Sequence, residues 1–133
     1  MIDAHCHLQD LNNIGTEVQR CKAIGITTLI CNGSDLESSQ KAIKIAEKFP
    51  QVFATVGCHP DVKVFDKKLF LKLSQHKKVV AVGECGLDYK TETGDRDRES
   101  QKELLRFNLE LAKETNLPLV VHCRNAFEDI LDN

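Results

Sequence analysis

Short runs of β-branched residues alternate along the chain with longer stretches in which hydrophobic residues recur at helical spacing. Such alternation is typical of repeated βα units around a parallel sheet. The short runs are compact and apolar, as buried parallel strands are, and they predict five strands. The predicted strands are Ile2 to His5, Thr27 to Cys31, Val52 to Gly57, Val79 to Gly83 and Leu119 to His122.

The stretches between the strands predict helices, two of which have clear boundary signals. The first ends at Gly25, and the second opens with the capping-box pattern Ser34-Asp35-Leu36-Glu37 and stops before Pro50. The five helices are placed around Val18 to Ile24, Ser34 to Phe49, Leu69 to Leu73, Asp97 to Thr115, and from about Asn125 onward. One long polar connection, Asp88 to Arg96, follows the fourth strand. We expect it at the C-terminal face of the sheet, where α/β proteins build their active sites.

Composition narrows the class of protein. The 133 residues include 18 Lys and Arg against 20 Asp and Glu, and 41% are hydrophobic. These values predict one soluble globular domain over residues 1–133 and exclude both disorder and a strongly basic nucleic-acid footprint. No apolar run approaches the ~18 residues of a membrane span, and the start Met1-Ile2-Asp3 lacks the pattern of a signal peptide. We therefore expect a cytoplasmic protein with no membrane contact.

The six cysteines are expected to be reduced thiols, because no Cys-x-x-Cys pair and no secretion signal is present. Cys21 and Cys31 sit in apolar contexts and are predicted to lie in the core. The other four adjoin a His or a Glu in sequence, which raises the alternative of a zinc site with Cys and His ligands. Adjacent residues of a strand point to opposite faces, so this alternative is disfavoured where the neighbouring His or Glu faces the site.

Four of the five histidines and one carboxylate stand at the C-terminal ends of predicted strands: His5, His7, His59, Glu84 and His122. His5 and His7 are separated by one residue, so on an extended chain they share a face and can chelate one cation. A mixed set of imidazoles and a carboxylate suits Zn²⁺, Mn²⁺ or similar ions that activate water, and a carboxylate can bridge two ions. The remaining histidine, His76, has the sequence context of ordinary surface.

Each of these residues also has a structural interpretation. His59 could be a turn residue before Pro60, His122 a satisfied histidine near the core, and Glu84 the partner of an arginine, Arg124 or Arg98. A carboxylate next to an apolar strand is costly to bury unless it is paired or bound to metal. This cost favours a functional role for Glu84.

Four segments together resemble the TatD family of metal-dependent deoxyribonucleases, in order and over the whole chain. They are Asp3 to Leu8, Gly57 to Pro60, Gly83 to Tyr89 and Pro118 to Arg124, and the third, Gly-Glu-Cys-Gly-Leu-Asp-Tyr, is the most specific. The resemblance implies an amidohydrolase-like (β/α) barrel that hydrolyses phosphodiester bonds of DNA, with 3′–5′ exonuclease action as one form of that activity. It also implies two divalent ions, Mg²⁺, Mn²⁺ or Zn²⁺, at the strand ends.

The resemblance further implies residue roles. His5 and His7 would bind one ion, His122 the second, and Glu84 would bridge them, so that Glu84 and His122 take part in catalysis. His59 and Arg124 would contact the substrate phosphate. Asp88 and Tyr89 would support the ligands or shape the long loop that follows them.

Members of that family carry later strands with a further His and an Asp ligand, neither of which appears in these 133 residues. The expected fold is therefore a partial TIM-like barrel, about five of its eight βα units, without the C-terminal strands. Such a sheet would expose its first and fifth strands, so we expect self-association or low stability in isolation. Three functions stay open: a nuclease with weak or no activity in this short chain, a non-catalytic half-barrel that binds metal or a partner, and a hydrolase of the same superfamily with another substrate.

Overall fold

Five parallel strands form a curled half-barrel with helices outside it, in a computed structural model that describes residues 1–90 and 97–132. The strands are β1 (Ile2–Cys6), β2 (Thr28–Cys31), β3 (Val52–Val56), β4 (Val79–Asp88) and β5 (Leu119–Arg124), and they pair in chain order. Every pair is parallel, as the βα alternation predicts. The predicted partial barrel of five βα units is confirmed.

Among the described residues, five α-helices connect the strands or follow the last of them: α1 (Ile14–Ala23), α2 (Leu36–Lys48), α3 (Lys67–Ser74), α4 (Arg98–Thr115) and α5 (Phe127–Leu131). A short 3₁₀ helix over Leu8–Asp10, which the sequence does not predict, follows β1. The capping box of α2 lies one residue later than expected. The Asp35 carboxylate accepts a hydrogen bond from the backbone amide of Ser38, and the Ser38 hydroxyl accepts one from the backbone amide of Asp35.

The core lies between the inner strands and the helices. The side chains of Leu29, Val52, Val56, Val82 and Phe70 are at most 1% exposed. β1 and β5 stand at the two edges of the sheet and are more exposed, with Ile2 at 63% and Val121 at 43%. The half-barrel is thus best packed where β3 and β4 run together.

β4 is longer than predicted, because it continues beyond Gly83 to Asp88. Glu84 therefore lies inside a strand. Two glycines permit this course: Gly83 and Gly86 have φ angles of 137° and 143°, which side-chain-bearing residues rarely adopt. A Cβ on Gly83 would also collide with the carbonyl oxygen of Val120, and one on Gly86 with that of His122. The glycines let β5 approach β4 closely at the level of Glu84.

The connection predicted from Asp88 to Arg96 falls largely outside the described residues, which omit positions 91–96. Within residues 1–90 and 97–132, no helix combines the length and apolar character that crossing a membrane requires.

Candidate metal centre

His5, His7 and Glu84 converge at the C-terminal edge of the sheet, and their ligand atoms form a small triangle. Nε2 of His5 and Nε2 of His7 are 3.2 Å apart. The same two nitrogens lie 3.4 Å and 3.6 Å from Oε2 of Glu84. His5 at the end of β1 and His7 just after it are thus brought to a common point with a residue of β4, three strands away.

This triangle fits a divalent ion. In a tetrahedral site with metal–ligand distances of about 2.0–2.1 Å, ligand atoms stand about 3.3–3.4 Å from one another. The three measured separations, 3.2, 3.4 and 3.6 Å, bracket that value. Imidazole nitrogens and a carboxylate oxygen are also the donors that Zn²⁺ and related ions prefer.

The backbone after β2 fixes the tautomer of His7. Nδ1 of His7 lies 3.2 Å from the carbonyl oxygen of Asn32, which can only accept a hydrogen bond. Gln9 donates to the same carbonyl at 2.8 Å. Nδ1 therefore carries the proton, and Nε2 presents its lone pair to Glu84 and His5.

A second group contains His59, Glu84 and His122. Nδ1 of His122 lies 3.1 Å from Oε1 of Glu84, and its Nε2 lies 3.0 Å from Oδ2 of Asp88. The two oxygens of Glu84 thus face different partners, Oε2 the pair His5 and His7, and Oε1 the ring of His122. This is the arrangement expected of a carboxylate that bridges two positive centres.

Asp88 orients His122 from the far side. Burial tends to raise the pKa of the Asp88 carboxyl, but the Lys90 amide, His122 and Arg124 together hold that pKa below its ordinary value. Asp88 is therefore an ionised acceptor within hydrogen-bond distance of Nε2 of His122. A proton on Nε2 would leave Nδ1, which faces Glu84, with the lone pair that binds a metal ion.

His59 approaches this group from the loop after β3. Its ring packs edge-on against the ring of His122, with centroids 4.5 Å apart. Its Nδ1 lies 2.6 Å from a carboxylate oxygen of Asp61, and its backbone amide donates to the carbonyl oxygen of Ser34. With Nδ1 engaged by Asp61, Nε2 is the nitrogen left for another partner.

Buried hydrogen bonds hold Glu84 in place from the backbone side. The amide of Glu84 donates to the carbonyl oxygen of Gly33 across 2.6 Å, and the hydroxyl of Thr55 donates to the carbonyl oxygen of Gly83 across 2.5 Å. Thr55 in turn accepts from the amide of Gly33. The side chain of Glu84, only 12% exposed, is thereby aimed at the imidazoles by three neighbouring strand ends.

Of the two remaining predicted residues, Arg124 lies beside the cluster and Tyr89 contacts helix α5. The guanidinium of Arg124 is 3.4 Å from Asp88 and half exposed, at the rim of the centre. The hydroxyl of Tyr89 donates to Asp129 on α5 across 2.6 Å, and Arg98 lies over its ring. The structure therefore brings Arg124 beside the cluster, whereas Tyr89 fastens the end of β4 to α5.

The cysteines stay out of the ligand groups in the described part of the chain. Burial raises the pKa of the Cys85 thiol to about 12, with a further contribution from Glu84. Burial also raises the pKa of Cys6 to about 12. Protonated thiols are poor metal ligands, which agrees with the sequence argument against a zinc site with Cys and His ligands. His76 lies elsewhere, beside Glu47.

Sequence reasoning missed several residues that shape the centre: Gln9, Asn32, Thr55, Asp61, Gln101 and Asn108. The role of Asn32 could have been predicted from its position directly after β2, which corresponds to the positions of His5 and His7 at the end of β1 and just after it. The roles of Thr55 and Asn108 could not, since a buried polar side chain looks like any other strand or helix residue until its partner is known.

Comparisons with known proteins identify the family of this chain. A family model described as TatD related DNase matches residues 2–133. An uncharacterized metal-dependent hydrolase, YabD of Bacillus subtilis, is 35% identical over 98% of this chain and 53% of its own length. A protein named 3′-5′ ssDNA/RNA exonuclease TatD, from Escherichia fergusonii, is 34% identical over 84% of this chain and 44% of its own length.

Solved structures show the same relationship. A hydrolase of the TatD family from Entamoeba histolytica superposes with a TM-score of 0.89 at 26% identity, over 99% of this chain and 52% of that one. YjjV, a TatD homolog from Escherichia coli, gives a TM-score of 0.84 at 29% identity, over 98% and 53%. The chain spans about half the length of the curated relatives it matches. It belongs to the TatD-related DNase family of metal-dependent hydrolases.

Proposed function

We propose that this chain carries the metal centre of a deoxyribonuclease that removes nucleotides from the 3′ end of single-stranded DNA. The main support for this proposal is the position of the Glu84 carboxylate. One of its oxygens faces His5 and His7, and the other faces His122. A relative named for 3′-5′ exonuclease action on single-stranded DNA and RNA supports the substrate class.

In this proposal, a pair of divalent ions would be held by His5, His7, Glu84 and His122. Such ions would supply a water of lowered pKa and offset the charge of a phosphate. The chain's own contribution is to fix the ligand atoms in place, with Glu84 supported from the backbone and His122 oriented by Asp88. Preorganised ligands of this kind spare the site from rearranging during the reaction.

The substrate phosphate would be held at the rim of the centre. The half-exposed guanidinium of Arg124 offers a planar fork that matches phosphate oxygens. His59, oriented by Asp61, presents its other ring nitrogen from the loop after β3. Hydrolysis joins a water oxygen to phosphorus and breaks the bond from phosphorus to the 3′ oxygen. One water proton goes to that leaving oxygen, and the products are a 5′-nucleotide and a new 3′-hydroxyl.

We expect slow turnover by the 133-residue chain, because the family resemblance implies further His and Asp ligands on later strands. The test uses a single-stranded DNA oligonucleotide labelled at its 5′ end, with chain in excess and Mg²⁺ or Mn²⁺ added. The expected result is stepwise shortening from the 3′ end, lost in Glu84→Gln and in His5→Ala. His76→Ala is the matched control, since His76 lies outside the cluster, and it should cleave like the unaltered chain.

Three other outcomes would contradict this proposal. Metal binding without any shortening, at every chain concentration, would favour a non-catalytic half-barrel. Hydrolysis of a cyclic amide or a simple phosphate ester, lost in Glu84→Gln while DNA stays intact, would favour a hydrolase with another substrate. Shortening that is equal in all variants would show that the cluster is not responsible.

A further inference from the structure

Helix α4 presents two buried carboxamides to the sheet. Gln101 is 5% exposed and Asn108 is not exposed at all. The two residues are seven positions apart, which is close to two helical turns, so they lie on the same face of α4. Buried carboxamides are costly unless their donors and acceptors are all used.

Gln101 pairs with one residue at the end of β4. Its side-chain oxygen accepts from the amide of Asp88 across 2.8 Å, and its side-chain nitrogen donates to the carbonyl oxygen of Asp88 across 3.0 Å. A single side chain thus satisfies both backbone groups of one residue, as a neighbouring strand would. The pairing of β3 with β4 ends at Val56 and Val82. Gln101 therefore supplies hydrogen bonds to β4 beyond the point where β3 pairs with it.

Asn108 repeats this pattern in the loop after β3. Its oxygen accepts from the amide of Cys58 across 3.0 Å, and its nitrogen donates to the carbonyl oxygen of Cys58 across 3.1 Å. The same nitrogen donates to Leu104 of α4 at 2.7 Å, which ties the carboxamide to its own helix. Cys58 is 1% exposed, and without Asn108 its backbone groups would lose these bonds in the interior.

We call these two pairings, Gln101 with the backbone of Asp88 and Asn108 with the backbone of Cys58, the clamps. The two clamped residues, Asp88 and Cys58, both adjoin the metal centre. Asp88 is the acceptor that orients His122, and Cys58 directly precedes His59. The rings of His59 and His122 meet with centroids 4.5 Å apart, so their relative placement depends on where the two clamped backbones lie. The backbones of Asp88 and Cys58 are therefore both hydrogen-bonded to the same helix, α4.

We infer that Gln101 and Asn108 are positioning residues, which use α4 as a template to set the relative positions of the Asp88–His122 pair and His59. The inference deepens the proposed function and rests on the same centre. The bonds described for the two carboxamides go to the backbones of Asp88 and Cys58, and through these backbones they act on the ligand residues.

The test compares clamp variants with a variant that weakens α4 without touching a clamp. Gln101→Met and Asn108→Leu keep approximate volume and remove the carboxamide. Leu111→Ala removes a core contact of α4 and serves as the control for lost stability, since Leu111 is 3% exposed and packs in the main core. Gln101→Glu and Asn108→Asp retain size and the acceptor but lose the donor, and they replace the first pair if that pair does not fold.

Two readouts are used, neither of which requires DNA. Nuclear magnetic resonance of the imidazole ¹⁵N signals of metal-free chain reports the environments of His122 and His59. Titration with Zn²⁺ alone reports the affinity of the centre. We expect the Gln101 variant to shift the His122 signals, the Asn108 variant to shift those of His59, and each to weaken Zn²⁺ binding about 10-fold, as loss of an orienting partner typically does.

Leu111→Ala should leave the ring signals and the Zn²⁺ affinity unchanged even where its free energy of unfolding falls as far as that of a clamp variant. Clamp variants with unaltered ring signals and affinity would overturn the inference. So would equal losses in Leu111→Ala, because the effect would then follow general stability. Absence of DNA cleavage would count against the proposed nuclease and leave this result standing.

Discussion

Nε2 of His122 lies 3.0 Å from a carboxylate oxygen of Asp88, across the gap between strand β5 and the end of β4. A proton held on Nε2 by this carboxylate leaves the other ring nitrogen, which faces Glu84, with the lone pair that binds a metal ion. A carboxylate that orients a histidine in this way raises the basicity of the ring as a ligand. The pair therefore links the position of one strand end to the ligand chemistry of its neighbour.

Replacing the Asp88 carboxylate should weaken metal binding while the fold persists. Asp88→Asn keeps the size of the side chain but removes the charge that fixes the proton on Nε2. We expect the affinity for Zn²⁺ or Mn²⁺ to fall about 10- to 100-fold, measured by calorimetric titration. Asp129→Asn is the control, since Asp129 pairs with Tyr89 and Lys102 away from the cluster. Equal affinity in Asp88→Asn and the unaltered chain would contradict the orienting role.

Gly86 should tolerate a side chain far less well than Gly25. Both residues have positive φ, but a Cβ on Gly25 meets nothing within 4 Å, whereas one on Gly86 collides with the backbone of His122. Gly25→Ala thus measures the backbone cost alone, and Gly86→Ala adds a clash worth about 1–3 kcal/mol. Denaturant unfolding of both variants provides the comparison. Equal losses in the free energy of unfolding would show that β5 does not press on β4 at this level.

The single tyrosine of the chain gives a direct test of the β4–α5 contact. Burial, and then the hydrogen bond to Asp129, raises the pKa of Tyr89 to about 12. Because the folded-state pKa lies above the ordinary value of 10.0, this contribution to stability is present below pH 10 and is lost as the pH rises toward 12. Ultraviolet absorbance of the phenolate follows Tyr89 alone, since the chain has no tryptophan and no other tyrosine. Asp129→Asn should move the midpoint toward 10, and an unchanged midpoint would contradict the contact.

The edge of the half-barrel at β5 and α5 should mediate self-association. Phe127 and Leu131 are 67% and 70% exposed and stand four residues apart, on one face of α5. Sedimentation at increasing chain concentration should show a rising mass that Phe127→Lys and Leu131→Glu reduce. Val64→Lys is the control, because Val64 is 87% exposed but lies in the loop between β3 and α3. A mass that is constant with concentration, or equally reduced by the control, would argue against this surface.

The convergence of His5, His7, Glu84 and His122 could be predicted because parallel strands share one C-terminal edge. Residues toward the carboxyl ends of the strands lie on that side whatever their distance in sequence, and the curl of the half-barrel brings β1 close to β4 and β5. The strands themselves could be predicted for the same kind of reason, since buried parallel strands require continuous apolar runs.

The full length of β4 could not be predicted, because the glycines Gly83 and Gly86 usually indicate that a strand ends or bends. Here they allow β5 to come close, which only the packed structure reveals. The clamps from Gln101 and Asn108 were equally hidden. A carboxamide on a helix acquires its meaning from the backbone that it meets, which for Asn108 lies 50 residues away.

The position of Tyr89 could not be inferred from its motif. This residue follows Asp88 in the sequence and shares a motif with it, but the alternation of side chains along an extended segment sends Tyr89 to the other face. There it meets Asp129, so neighbours in one motif serve different parts of the molecule.

The most direct test of the account is the number of divalent ions bound per chain, measured by equilibrium dialysis with Zn²⁺ and with Mn²⁺. If Glu84 joins two imidazole groups into one centre, the unaltered chain binds two ions. His5→Ala and His122→Ala should then each lose one ion, and Glu84→Gln should weaken both. His76→Ala should bind like the unaltered chain. Two ions bound with unchanged affinity by Glu84→Gln would contradict the account.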